Sequence, residues 1–137
     1  MKTSKPILLV EDDTVDAMTV KRALKEINIT NKLYIVNDGE DALTFLKNPE
    51  NQIPGIILLD LNMPRMNGIE FLKIAKKDDT IKRIPVVVLT TSREDQDKVD
   101  SFNLGVSGYM VKPVDYRKFV EVIKTINLYW TLSELPD

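Results

Sequence analysis

The sequence predicts an α/β protein, a doubly wound sheet of five parallel strands with helices on both faces. Three observations carry this. Five short apolar runs recur that are too short for helices and do not alternate with polar residues, as parallel strands read when both faces are covered. Segments whose apolar residues lie three or four apart fall between them, each the stripe of a helix packed on one side. No linker or low-complexity stretch interrupts this alternation over 137 residues, a length suited to one domain. Right-handed helical crossovers between parallel neighbours then leave helices on both faces.

The first run is Ile7–Val10, which stops at Glu11, Asp12 and Asp13. Ala17, Val20, Leu24 and Ile27 mark the first helix, with Asp13 or Thr14 placed to cap it. Leu33–Val36 is the second strand, followed by a helix over 38–47 that turns Ala42, Phe45 and Leu46 inward. A surface loop over 49–54, bounded by two prolines, leads to Ile56–Leu59, the expected central strand. A helix over 67–77 carries Ile69, Leu72 and Ala75; the fourth run is 86–89, and the fourth helix, with Val99 and Phe102, spans 95–104. The last strand is 109–111, and Phe119, Ile123, Ile126 and Trp130 are the stripe of the last helix.

Composition narrows the chemistry. There is no Cys and no His, which excludes disulfides, thiol nucleophiles, Cys/His zinc sites, Ser-His-Asp triads and imidazole bases. Covalent chemistry would fall to a carboxylate, a hydroxyl or a Lys. With 19 basic and 21 acidic residues the net charge is −2, so no global field draws the chain to nucleic acid or to an anionic membrane, and neither is expected as a partner. The four-residue apolar run near the start is neither a signal core nor a membrane span, and the expected address is the cytoplasm.

Doubly wound sheets bind ligands at the carboxyl ends of their strands, beside the point where the winding reverses. Those ends carry Glu11, Asp12 and Asp13; Asp60; Thr90, Thr91 and Ser92; and Lys112 with Pro113. Taken singly, each has an ordinary reading as a helix cap or a solvated charge. Asp60 is harder to dismiss, because a carboxylate at the end of a central strand is costly without a cation, and gathering it with Glu11 and Asp12 adds repulsion. A hard divalent ion answers both problems, since Mg²⁺ takes oxygen ligands and keeps several waters. Acidic groups around such an ion, next to a Lys and a Thr hydroxyl, suit phosphoryl transfer. The five glycines form neither a P-loop nor a dinucleotide fingerprint, so nucleotide is not the expected substrate and Asp60 is the candidate nucleophile.

At these residues the sequence resembles the receiver domain of two-component response regulators, over about residues 5 to 127. The motifs are Leu9-Val10-Glu11-Asp12-Asp13, Leu59-Asp60-Leu61-Asn62-Met63-Pro64, Gly68, Leu89-Thr90-Thr91-Ser92 and Gly108-Tyr109-Met110-Val111-Lys112-Pro113. The resemblance implies a flavodoxin-like receiver fold and a signalling phosphoacceptor rather than an enzyme. It makes Asp60 the phosphoacceptor. Mg²⁺ would be held by Asp12, Asp60 and the backbone carbonyl of Asn62, with Glu11 acting through a bound water. Lys112 would pair with the phosphoryl group and Thr90 would donate its hydroxyl. Phosphorylation adds about 1.5 to 2 negative charges; Thr90 would move toward them and Tyr109 rotate inward, reshaping the face of the fourth helix, fifth strand and fifth helix. The partners implied are a sensor histidine kinase and a downstream protein or phosphotransfer partner.

Two positions depart from the commonest pattern. Thr91 stands where a smaller residue is usual and would hinder water, which predicts a long-lived phosphoform. The acidic pair is Glu-Asp rather than Asp-Asp, which leaves the direct metal ligand intact. The expected receiver domain is 1–127, with an extension over 128–137 that contains Tyr129 and Trp130. That extension either finishes the last helix or forms an arm for a kinase or a second copy of the chain. Its Tyr-Trp pair and the Leu-Thr-Thr-Ser segment resemble the stand-alone regulators of phytochrome-type kinases. A haloacid-dehalogenase-like phosphatase is the enzymatic alternative, but it generally has a second Asp where this chain has Asn62. An interaction module that no longer takes phosphate is the third reading, disfavoured because Glu11, Asp12, Asp60, Thr90 and Lys112 are all present.

Overall fold

The computed structural model describes residues 5–61, 63, 65–90 and 103–133, the last three by their backbone alone. The elements run β1 (Ile7–Val10), α1 (Thr14–Glu26), β2 (Leu33–Val36), α2 (Gly39–Lys47), β3 (Ile56–Leu59), α3 (Gly68–Ala75), a 3₁₀ turn (Ile81–Arg83), β4 (Val86–Thr90), β5 (Gly108–Val111) and α4 (Tyr116–Ser133). The helix predicted over 95–104 lies outside the described residues except at its end, where Asn103 is already in a turn at φ 51°. Three helix starts settle where a polar side chain satisfies the free backbone N–H groups. Asp13 accepts from the Asp16 amide, Asp38 from the Asp41 amide, and Asn67 with Glu70 forms a reciprocal capping box. Asp38 and Asn67 are therefore caps, one residue outside the helices predicted to include them. No described helix is long and apolar enough to cross a membrane.

All five strands are parallel, in the order β2-β1-β3-β4-β5. The chain steps outward from β1 to β2, then crosses back to β3 on the other side of β1, so the winding reverses between β1 and β3. Period-two alternation divides the core. Ile7, Leu9, Ile56, Leu58, Val87 and Leu89 face α1 and α4, meeting Ala17, Val20, Phe119 and Ile123. Leu8, Val10, Ile57, Leu59 and Val88 face α2 and α3, meeting Ala42, Phe71 and Leu72. β1, β3 and β4 are buried throughout, whereas β2 and β5, at the two edges, are half-buried and each carry one exposed residue.

The last helix is longer than the layer it covers. Its 18 residues span about 27 Å against roughly 13–17 Å for strands of four or five residues. The excess carries Trp130, 1% exposed, beneath the amino ends of β1 and β3. Gly55 makes room for it: a Cβ there would lie 2.4 Å from Trp130 Cζ2. The indole thus closes the end of the sheet opposite the acidic residues.

Candidate functional site

Register brings the acidic residues together. Val10 pairs with Leu59, so the residues that follow them, Glu11 and Asp60, leave the sheet side by side. The Asp60 amide donates to the Val10 carbonyl at 3.0 Å and the Glu11 amide to the Val36 carbonyl at 2.9 Å, which extends the ladder into the site. Glu11, Asp12 and Asp60 each offer a carboxylate oxygen within 4.8 Å of the others. Glu11 is buried, Asp60 half-buried and Asp12 exposed, so the cluster opens outward from its deepest member. Asp60 is less enclosed than a carboxylate ending a central strand was expected to be, because β3 ends where the sheet meets solvent.

β4 and β5 supply the neighbouring wall. Thr90, fully buried, ends β4 opposite Val111, and the Lys112 amide donates to the Thr90 carbonyl at 2.6 Å. That places the Lys112 side chain inward, 10% exposed, with Nζ 2.7 Å from Glu11 Oε1 and 3.5 Å from Asp16 Oδ2. Tyr109 lies opposite Val88, half-buried at the rim of the α2/α3 side of the core.

The electrostatics follow from one ammonium among several carboxylates. Burial raises the Glu11 pKa, the Lys112 bond opposes it and the Asp60 carboxyl raises it again, so that it moves from 4.5 to about 7. Burial pulls Lys112 down, but its hydrogen bond and charge pairing with Glu11, with Asp60 and Asp16 nearby, more than offset this and keep it charged. The donor set is all oxygen and carries excess negative charge, which fits a hard divalent cation such as Mg²⁺ or Mn²⁺.

The structure therefore brings together Glu11, Asp12, Asp60, Thr90 and Lys112 at one sheet edge, with Tyr109 flanking them. Asn62 and Thr91 lie outside the described residues. Asp13 stands apart as the α1 cap, its own amide donating to Glu11 Oε2 at 3.3 Å. Sequence reading did not single out Asp16. Its signal was its place one helical turn after Asp12 and Asp13, which puts it within reach of any Lys entering from β5. Nor did it single out Arg65, whose partners are the cap and first turn of α2.

Comparison with known proteins bears on the family and the fold. The family model described as "Response regulator receiver domain" matches residues 7–124. Response regulator Rcp1 of Synechocystis sp. is 40% identical over 130 residues, covering 92% of this chain and 88% of its own. Among solved structures, the phosphorylated cyanobacterial phytochrome response regulator RcpA superposes with a TM-score of 0.86 at 35% identity, covering 97% of this chain and 99% of that one. The Mn²⁺-bound form of Rcp1 gives a TM-score of 0.82 at 38% identity, with 92% and 94% covered.

Proposed function

The chain belongs to the response regulator receiver domain family, and on that premise we propose that it is a stand-alone regulator whose Asp60 accepts a phosphoryl group from a sensor histidine kinase. Members of this family are signalling proteins rather than enzymes. The observation that carries the proposal is the cluster of Glu11, Asp12 and Asp60, with Lys112 Nζ 2.7 Å from Glu11, at the reversal point of the sheet.

In the reaction, an Asp60 carboxylate oxygen forms a bond to phosphorus while the bond to the kinase imidazole nitrogen breaks, and that nitrogen keeps the electron pair. Lys112 moves from Glu11 toward the phosphoryl oxygens, and the Thr90 hydroxyl donates to one of them. We assign Asp12, Asp60 and the Asn62 carbonyl as ligands of Mg²⁺, with Glu11 acting through a bound water. When bound, the ion supplies the positive charge that lets the carboxylates and the phosphoryl group share one pocket. Thr90 and Tyr109 then transmit the change to the face formed by the segment after β4, by β5 and by α4. The likeness to RcpA, a cyanobacterial phytochrome response regulator, supports a phytochrome-type kinase as partner.

Output passes by contact to a downstream protein or phosphotransfer partner. The receiver domain is 1–127, and the extension over 128–137 begins inside α4. Leu128 and Tyr129 are exposed there while Trp130 anchors the turn, a surface suited to a kinase or to a second copy of the chain. Incubation with Mg²⁺ and acetyl phosphate, read by intact mass, tests the proposal. One phosphoryl adduct is expected on wild type and none on Asp60→Asn; an adduct retained by Asp60→Asn, or turnover of phosphomonoesters, would refute it.

A further inference from the structure

The loop between Asp60 and α3 is fastened to an element that phosphoryl chemistry does not touch. Arg65 sits at φ 57°, a left-handed conformation that a side chain of this size keeps only where its surroundings hold it. Its guanidinium meets three carboxylates around the start of α2: Nε lies 2.6 Å from Asp38 Oδ2, Nη2 3.1 Å from Asp41 Oδ1 and Nη1 3.5 Å from Glu40 Oε2. An exposed pair would hold little. Here the guanidinium is 55% exposed, but its principal partner, Asp38, is 2% exposed and already committed as the α2 cap, accepting from the Asp41 amide at 2.9 Å. A buried carboxylate of fixed direction gives the guanidinium a fixed address.

The next residue repeats the tie through the backbone. The Gly39 amide donates to the Met66 carbonyl at 2.9 Å, and a Cβ on Gly39 would lie 2.7 Å from Met66 Cγ. Inside the loop, the Gly68 amide donates to the Leu61 carbonyl at 3.0 Å and closes it on itself. Leu61 and Met66 are thus fixed from two directions.

We infer that the first turn of α2 is a clamp, and that Arg65 is a positioning residue which holds the loop after Asp60 in the shape that binds the divalent ion. This rests on the proposed Mg²⁺ site, in which that loop contributes the Asn62 carbonyl. Outer partners that orient a metal ligand commonly cost roughly tenfold or more in affinity when removed.

The test uses the full chain with Arg65→Gln, Asp38→Asn, the double variant and Arg65→Lys. Asn at 38 retains a cap acceptor, and the double variant leaves no buried carboxylate without its cation, so at least these two are expected to stay folded. Mg²⁺ affinity is measured by calorimetric titration well below the melting temperature, and exchange of the Gly39 and Gly68 amides by NMR without metal. Affinity is expected to fall roughly tenfold in Asp38→Asn, Arg65→Gln and the double variant alike, because all three remove one coupled interaction. Arg65→Lys should recover part of the loss, since one ammonium replaces a fork that spans three carboxylates. Both glycine amides should exchange faster in the non-rescuing variants. Folded variants that bind Mg²⁺ as wild type does would overturn the clamp while leaving the metal site standing. Wild-type protein that takes up no Mg²⁺ would overturn the metal site, and the positioning role with it.

Discussion

Gly68 offers a sharp test of how closely α3 must approach the phosphoacceptor. It is the first residue of α3, and a methyl group there would stand 2.7 Å from Leu61 Cα, 2.7 Å from Leu61 Cδ2 and 2.8 Å from the Asp60 carbonyl oxygen. Two of those three atoms are backbone, so rotating a side chain cannot relieve the overlap. Carbon atoms rest about 3.5–4.0 Å apart, so Gly68→Ala must push α3 or the Asp60-Leu61 segment back by roughly 0.8 Å or more. Overpacking of this kind costs about 1–3 kcal/mol and Ala in place of Gly inside a helix returns about 0.5–1, so the middle of each range leaves a net loss of roughly 1–2. For a chain of this length 1 kcal/mol corresponds to about 3–4 °C, so the melting temperature should fall by roughly 3–8 °C.

Gly108→Ala is the control. Its methyl would meet Val87 Cγ2 at 3.4 Å, near ordinary contact, and should change the melting temperature little. Thermal unfolding by circular dichroism gives the stability, and the rate of adduct formation with acetyl phosphate reports the displacement at Asp60. The Gly68 variant should be slower in the second assay as well as less stable in the first. A Gly68→Ala protein that melts within about 1 °C of wild type and phosphorylates at its rate would refute the reasoning. Equal losses in both glycine variants would refute it too, because the effect would then belong to glycine replacement in general.

Three further outcomes follow, two from the geometry and the third, at Thr91, from the sequence pattern. The raised Glu11 pKa means that the folded protein holds this proton more tightly than the unfolded chain. Its contribution is fully present below about pH 4.5 and lost as pH rises through about 7. Metal-free wild type should therefore lose up to about 3 kcal/mol across that window relative to Glu11→Gln, and parallel pH-stability curves would contradict it. Trp130→Ala should cost about 3–5 kcal/mol in urea unfolding, since the indole is 1% exposed over Gly55; a cost below about 1 would mean that the helix end is not part of the core. Thr91→Ala should shorten the phosphoform lifetime in a phosphate-release assay, and slower release from the variant than from wild type would refute a shielding role.

Much of this protein was legible from local pattern. β1, β2 and β3 coincide with apolar runs, because four consecutive apolar residues bounded by polar ones satisfy a strand and little else. β4 and β5 each extend one residue further, to Thr90 and Gly108, where the ladder continues past the apolar residues themselves. Asp60, Glu11 and Lys112 were recognisable because a charge that ends an apolar run is forced to the edge of the sheet. What could not be read locally is what pairs residues distant in the chain. Glu11 and Lys112 are 101 residues apart, and Asp38 and Arg65 are 27 apart.

The edge positions of β2 and β5 belong to the same class. Leu33–Val36 reads as apolar as Ile7–Val10, yet it is only partly buried and leaves Ile35 exposed, since strand order decides which runs have neighbours on both sides. Sequence alone therefore determined the strands and helices among the described residues, the chemistry of their ends and the absence of imidazole and thiol groups. Only the tertiary structure decided that Lys112 rests on Glu11, that Asp16 stands beside it, and that Arg65 fastens the loop after Asp60 to α2. Secondary structure is set by residues within a few positions of one another, whereas the direction of a charged side chain is set by whichever opposite charge the fold brings within about 4 Å.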